Sequence, residues 1–140
     1  MYLDEYKRWM AAELEDADLK PELAKIEGND DEIKDRFAVA LKFGTAGLRG
    51  VLGAGTNRMN IYVVRQATQG LANWVKTQGG TQTVAISYDS RIKSDVFAKA
   101  AAEVATEVVD AVKASADKPV AETAAEVVKT AKKATCKTST

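Results

Sequence analysis

The sequence contains no histidine, and this absence excludes more chemistry than any other feature of its composition. Without histidine there is no Ser–His–Asp triad, no histidine general base and no histidine metal ligand. The single cysteine, Cys136, excludes a disulfide within the chain and a cysteine-rich metal site. A lone cysteine is typical of proteins from a reducing compartment, so we expect a cytoplasmic protein.

An excess of charge and a long apolar segment are also missing. The 20 Lys and Arg residues balance the 20 Asp and Glu residues, so net charge does not favour nucleic acid as a partner. No apolar run approaches the ~20 residues of a membrane span, and the N-terminal MYLDEYKRW is not a signal peptide. We therefore expect partners other than nucleic acid or a membrane. The 140 residues fit one ordinary domain.

Three short helices are predicted in the first 40 residues. Apolar spacing predicts a helix over residues 3–15, a second that opens at Pro21 and stops at Gly28, and a third capped by Asn29 or Asp30. The residues expected to be buried in the second and third helices are Leu23, Ile26, Ile33, Phe37 and Ala40. A strand-like segment over residues 41–43 follows.

The second half of the chain alternates between helix and strand. The pattern predicts a helix over residues 61–77 capped by Asn60, a strand over residues 83–88 and a long helix capped by Ser94. The inward positions of the two helices are expected to be Ile61, Val64, Thr68, Leu71 and Val75, then Val96, Phe97, Ala100, Ala101, Val104, Val108 and Val112. This order predicts an α/β fold with too few strands for a complete sheet.

The composition changes near residue 105, where Ala, Val, Glu, Lys and Thr become dominant. We therefore divide the chain into residues 1–104 and a helical tail over residues 105–140. Pro119 is expected to break the tail, and a last helix is predicted over residues 120–133. The apolar stripes of these C-terminal helices favour packing on the domain or self-association of the chain.

The most informative segment is Phe43-Gly44-Thr45-Ala46-Gly47-Leu48-Arg49-Gly50. Its glycines permit positive φ and a close approach of the backbone to a ligand, and successive amides in such a turn can bind an anion. The guanidinium of Arg49 could add a bidentate phosphate clamp. The standard phosphate-binding patterns of a P-loop and of a dinucleotide-binding turn are absent. Chemistry alone therefore leaves two interpretations open, a phosphate site and a purely structural glycine turn.

Basic residues outnumber acidic ones around this segment. Residues 51–100 hold 6 basic and 2 acidic side chains, a net charge of +4 that could attract small anions. The alternative is that these cations are solvated surface charges. That interpretation is preferred for Arg58, Lys76, Lys93 and Lys99.

Four segments together resemble one protein family. FGTAGLRG is followed by VLGAGTNRMNIYVVRQATQGLANWV, and EIKDRF and VAISYDSR lie on either side. This combination closely resembles the N-terminal region of the α-D-phosphohexomutases, the phosphoglucomutase/phosphomannomutase family, and within it the phosphoglucomutase/phosphopentomutase branch. The resemblance extends from about residue 2 to about residue 104. It implies an incomplete first α/β/α domain with extra N-terminal helices and an Ala-rich helical tail.

The resemblance also implies a reaction and residues that serve it. Members of the family transfer a phosphoryl group between a phosphoserine and a hexose phosphate, with Mg²⁺ and a hexose bisphosphate as cofactors. By this resemblance Arg49 reaches the phosphoserine and the phosphosugar, while Thr45 and Gly47 shape the phosphate-binding loop. Asp89 and Arg91 match a segment near the same cleft, where a supporting role is expected.

Several motifs of the family are missing from this chain. The Thr-x-Ser-His-Asn serine loop, the Asp-Gly-Asp-x-Asp-Arg metal loop and the Gly-Glu-x-Ser-Gly sugar loop do not occur. We therefore expect a fragment with no catalytic residue, no metal ligand and no cofactor of its own, which is inactive alone. A phosphosugar is the partner implied by the family. The alternative function is a non-catalytic module that binds phosphate or associates through its helices.

Overall fold

The computed structural model describes residues 1–78, 83–108 and 112–113. The chain divides into two compact units, Met1–Val63 and Val64–Thr140. The described residues form five helices and four two-residue strands. In chain order these are α1 (Tyr2–Ala11), α2 (Leu19–Lys25), α3 (Asp30–Phe37), β1 (Phe43–Gly44), β2 (Gly47–Leu48), α4 (Ile61–Lys76), β3 (Val84–Ala85), α5 (Ser94–Val108) and β4 (Val112–Lys113).

The three predicted N-terminal helices are present, with shifted boundaries. Helix α1 ends at Ala11 rather than at residue 15, because Ala12 takes an extended conformation with φ −70° and ψ 148°. Pro21 lies within the first turn of α2, where its missing N–H removes no helical hydrogen bond. Gly28 has φ +81° just beyond α2, as expected for a glycine that ends a helix. The side chain of Asn29 caps α3 by accepting from the Glu32 backbone N–H.

The core of the first unit lies among its helices. The side chains buried together are Tyr6, Trp9, Leu19, Leu23, Ile26, Ile33, Phe37 and Ala54. Phe37 makes edge-on contacts with Tyr6 and Trp9, with ring centroids 5.8 and 5.7 Å apart. The Tyr6 hydroxyl donates to the Leu23 backbone oxygen at 3.1 Å, so its polar end is satisfied within the core. The prediction for Ala40 is wrong, since it is exposed beyond the end of α3.

The second unit contains a strand–helix–strand arrangement. Strands β3 and β4 pair in parallel, with Val84 opposite Val112 and Ala85 opposite Lys113, and α5 connects them. The prediction that Val112 lies on a helix face is therefore wrong, because α5 ends at Val108. A short run of Ala and Val fits a strand and a buried helix equally well, and pairing with β3 decides between them.

Both predicted helices, α4 and α5, are present, but some residues that were expected to be buried on them are exposed. Asn60 caps α4 as expected, since its side-chain oxygen accepts from the Val63 backbone N–H at 3.0 Å. Leu71 is 52% exposed, whereas its neighbour Ala72 is buried. Ser94 is the first residue of α5 rather than its cap, and its hydroxyl accepts from the Asp89 backbone N–H.

On α5 the buried residues are alanines. They are Ala98, Ala100, Ala102 and Ala105, whereas Val96 is 41% exposed. The predicted break at Pro119 and the last helix over residues 120–133 lie outside the described residues, as does Cys136. In the part of the chain that is described, no helix combines the length and the hydropathy that a membrane crossing requires.

Candidate functional site

The glycine-rich segment forms an antiparallel hairpin. Strand β1 pairs with β2 so that Phe43 lies opposite Leu48 and Gly44 lies opposite Gly47. Thr45 and Ala46 form the turn, and neither has the positive φ that a mirror-image hairpin turn requires. Gly47 follows the turn with φ +97°, the left-handed conformation that glycine adopts without a steric penalty. The glycine at this position is therefore required by the turn itself.

The base of the hairpin is fixed on both sides. The Leu41 backbone N–H donates to the Thr56 oxygen at 2.9 Å, and the Met59 N–H donates to the Val51 oxygen at 2.8 Å. A Cβ at Gly50 would lie 2.8 Å from a terminal methyl group of Leu41, so the two sides of the hairpin base are in close contact. Residues 43–49 thus extend from a base held at both ends.

The tip of the hairpin is open to solvent. Thr45, Ala46 and Arg49 are exposed, and Gly47 is half-buried. Within the described residues, no carboxylate pairs with Arg49 and no hydrogen bond of its side chain is found. A free guanidinium beside a glycine turn can bind an anion from solution, which is the chemistry expected of this segment.

The hairpin base rests on the loop over residues 53–60, which is organised by the buried side chain of Asn60. Its amide nitrogen donates to the backbone oxygens of Gly53 and Gly55, both at 2.9 Å. Gly55 has φ +132°, and a Cβ there would lie 2.7 Å from the Arg36 backbone oxygen. This loop can therefore pack against α3 only if residue 55 is glycine.

Glu22 and Arg36 together hold the backbone of Ala54, and we call this arrangement the Glu22–Arg36 clamp. One Glu22 oxygen accepts the Ala54 N–H at 3.0 Å, and Arg36 donates to the Ala54 carbonyl oxygen at 3.2 Å. The two side chains also pair with each other, and Arg36 pairs with Glu32 at 2.8 Å. Burial alone would lower the pKa of Arg36, but hydrogen bonds to Glu22 and Glu32 outweigh burial and raise it. Arg36 is therefore held in its charged form.

For Arg58 the prediction of a solvated surface charge is wrong, whereas Lys76 and Lys99 are exposed as predicted. Arg58 is 9% exposed and pairs with Asp35 at the end of α3. Its second donor group reaches the Asn57 carbonyl oxygen at 3.1 Å. Arg58 therefore joins the loop to α3 rather than adding to a free basic field.

Asp89 and Arg91 belong to the second unit and form a local turn. An Asp89 oxygen accepts the Arg91 backbone N–H at 3.1 Å, and the other pairs with the Arg91 guanidinium at 2.8 Å. The backbone hydrogen bond, followed by the side-chain bonds to Arg91 and Ser94, holds the pKa of Asp89 below its usual range. Lys93, with φ +61°, comes just before α5. The supporting role expected of Asp89 and Arg91 stays a prediction.

The sequence indicated the glycine-rich segment and Arg49, but neither its antiparallel pairing nor the residues that hold it. Asp35 and Arg36 entered the resemblance only as part of the EIKDRF segment, without a role of their own, and Glu22 was not singled out, because acidic and basic residues on short helices resemble ordinary surface charge. The spacing of Glu32 and Arg36 by four residues was a signal for an ion pair on one helix face. No local pattern connects Glu22 with Ala54, which lies 32 residues further along the chain.

The described residues do not provide a donor set for Mg²⁺. No group of three or more carboxylate or thiol side chains there is placed to hold a metal ion. Mg²⁺ prefers clustered oxygen ligands, and the hairpin offers only a guanidinium, a hydroxyl and backbone groups. The described residues around the hairpin therefore do not fit a Mg²⁺ ion.

Comparison with known proteins gives a consistent family. Residues 40–136 match the model of the phosphoglucomutase/phosphomannomutase α/β/α domain I. A phosphoribomutase of Saccharomyces cerevisiae is 47% identical over 72 residues, which are 51% of this chain and 12% of that protein. A phosphoglucomutase of Staphylococcus aureus strain bovine RF122 is 40% identical over 73 residues, which are 52% of this chain and 13% of that protein. The comparison with solved structures gives no match.

The extent of these matches bears on the domain division. The aligned segments are 12% and 13% of the length of these two relatives. The domain match continues past residue 104 to residue 136, so it includes β4 and most of the tail. The division of the chain at residue 104, with a tail outside the family, stays a prediction. On the domain match and the relatives together, the chain belongs to the phosphoglucomutase/phosphomannomutase family, with residues 40–136 corresponding to its α/β/α domain I.

Proposed function

We propose that the chain supplies the phosphate-binding hairpin of a phosphohexomutase, whose reaction is intramolecular phosphoryl transfer on a hexose phosphate. Arg49 binds the phosphate, and Thr45 and Gly47 shape the turn beside it. The observation that carries this proposal is the exposed Arg49 side chain on a fixed glycine hairpin, without a carboxylate partner among the described residues. A structural arginine is normally paired, as Arg36 and Arg58 are in the same unit.

The hairpin alone binds phosphate without turning a substrate over. Phosphoryl transfer needs a nucleophile and charge neutralisation as well as a phosphate clamp. The sequence lacks the family's serine loop and metal loop, so the chain has the binding part of the chemistry only. The proposed function of this chain by itself is therefore to bind a phosphosugar without converting it.

The 140-residue chain is expected to show no hexose-phosphate mutase activity, even with Mg²⁺ and a hexose bisphosphate primer. A coupled assay that follows product formation measures this directly. The control is a complete phosphoglucomutase, added at trace amounts to show the detection limit. Turnover that survives repeated purification and increases in proportion to this protein would contradict the prediction.

Phosphate-bearing ligands are expected to bind the hairpin weakly, with a Kd no better than about 1 mM, which corresponds to about −4 kcal/mol. Arg49→Ala should abolish the binding, and Arg49→Lys should restore little, because lysine lacks the planar fork that binds two phosphate oxygens. An NMR titration with a hexose phosphate, followed at the amides of residues 43–50, measures the affinity. The unphosphorylated hexose serves as the ligand control.

Lys42 provides a matched control for Arg49, because it is an exposed cation directly before β1. Lys42→Ala removes the same charge from the same hairpin and leaves the guanidinium in place. We expect it to weaken binding less than Arg49→Ala does. Equal losses in the two variants would indicate nonspecific attraction of anions, and identical shifts in the wild type and Arg49→Ala would refute the proposal.

A further inference from the structure

The family match covers only part of the first unit, Met1–Val63. The match begins at residue 40, in front of the hairpin. The side chains that hold the hairpin's supporting loop come from α2 and α3, which lie before that point. A segment outside the matched domain therefore supports the element that carries Arg49.

We propose that the N-terminal helical segment, residues 1–39, is a positioning element for the Arg49 hairpin and that it acts through the Glu22–Arg36 clamp on Ala54. Glu22 and Arg36 are positioning residues, since neither lies on the hairpin itself. The inference rests on the proposed function of that hairpin.

The clamp satisfies both backbone groups of one buried residue. Ala54 is 0% exposed, so its N–H and its carbonyl oxygen need partners within the protein. Side chains of opposite charge provide them, the carboxylate of Glu22 for the N–H and the guanidinium of Arg36 for the oxygen. Hydrogen bonds to charged groups are stronger than neutral ones, so this point of the loop is held firmly.

The contact between clamp and loop is close on both sides of Ala54. A Cβ at Gly53 would lie 2.5 Å from a Glu22 carboxylate oxygen, so this carboxylate fills the space that a side chain would take. The Arg36 backbone oxygen accepts the Asn57 N–H at 2.9 Å, so Arg36 contacts the loop through its main chain as well. The path of residues 53–57 is therefore determined by α2 and α3.

The same loop is hydrogen-bonded to the base of the hairpin. Thr56 and Met59 both follow Ala54 in this loop. The Thr56 backbone oxygen accepts from the Leu41 N–H at one end of the hairpin base, and the Met59 N–H donates to the Val51 oxygen at the other end. If the loop loosens, both hydrogen bonds at the base loosen with it. The orientation of Arg49 then becomes heterogeneous, and the apparent affinity falls by the fraction of molecules in the binding conformation.

The test compares Glu22→Gln with a core substitution in the full 140-residue chain. Glutamine keeps an acceptor oxygen for the Ala54 N–H and removes the charge that pairs with Arg36. Ile33→Val is the control, because Ile33 is 3% exposed in the core and makes none of the clamp's hydrogen bonds. Thermal unfolding shows whether the two variants lose similar stability. The binding readout is an NMR titration with inorganic phosphate and with a hexose phosphate at residues 43–50.

The expected result is a roughly threefold or greater loss of phosphate affinity in Glu22→Gln, from a smaller binding-competent fraction, with no change in Ile33→Val. Amide hydrogen exchange at Leu41 and Met59 should become faster in Glu22→Gln only. Arg36→Lys tests the other half of the clamp if Glu22→Gln fails to fold. It retains the charge but loses the fork that reaches Ala54 and both carboxylates.

Two outcomes would overturn the inference. One is a folded Glu22→Gln or Arg36→Lys protein with wild-type phosphate affinity and wild-type exchange at the hairpin base. The other is an Ile33→Val protein that shows the same losses, since the effect would then follow stability alone. If the wild-type chain binds no phosphate, the proposed function fails. The exchange rates at Leu41 and Met59 then still decide whether the clamp positions the hairpin.

Discussion

Replacing Phe37 with alanine is expected to destabilise the unit formed by residues 1–63 by about 3–5 kcal/mol. Phe37 is 5% exposed and contacts the rings of Tyr6 and Trp9. Truncation of a buried phenylalanine costs about 3–5 kcal/mol, a total that includes its lost aromatic contacts. A unit of this size is typically stable by about 3–9 kcal/mol. The substitution therefore removes a large part of the free energy of unfolding, and all of it at the low end of that range.

Thermal unfolding by circular dichroism and the NMR signal of the Trp9 indole measure this effect. Trp9 reports on the first unit, since its indole N–H donates to Glu5 at 3.0 Å beside the core. Phe43→Ala is the matched control, because Phe43 is 71% exposed and the chemical change is identical. Its expected effect is within about 0.5 kcal/mol. Equal stability of the two variants would show that the core described here does not stabilise the unit.

Replacing Asn60 with aspartate is expected to destabilise the first unit by about 3 kcal/mol or more, although aspartate and asparagine are equally good helix caps. The reason is the amide nitrogen, which donates to the Gly53 and Gly55 oxygens. Aspartate would place a carboxylate oxygen against two carbonyl oxygens in a site that is 2% exposed. Asn60→Ala should be damaging as well, because it removes the cap and leaves the same carbonyls without a donor.

The matched control is the cap of α3. Asn29 is exposed, and the one side-chain hydrogen bond it makes within the described part of the chain is the capping bond, in which it accepts the Glu32 N–H at 3.3 Å. Asn29→Asp should therefore be nearly neutral, and Asn29→Ala should cost about 1 kcal/mol. Denaturant unfolding of the four variants separates capping from the support of the loop. An Asn60→Asp protein as stable as Asn29→Asp would show that the amide nitrogen contributes nothing.

The sequence by itself determined the local features of this protein. The caps at Asn29 and Asn60 and the glycine stop at Gly28 use interactions within a few residues of the chain, and each is found where it was predicted. The glycine-rich turn with Arg49 was also recognisable, because its residue types are needed by the turn itself, although the pairing of β1 with β2 was not predicted. The match to domain I confirms the family that these residues indicated.

Only the tertiary structure decided which groups hold these features together. Glu22 and Arg36 reach Ala54 across 32 and 18 residues of sequence, and separations of that kind leave no periodic or motif signal. The same reason explains the wrong prediction for Val112, which becomes a strand residue because β3 is available to pair with it. The glycine-rich turn could thus be recognised from its own residues, whereas its support depends on partners that only the folded chain brings together.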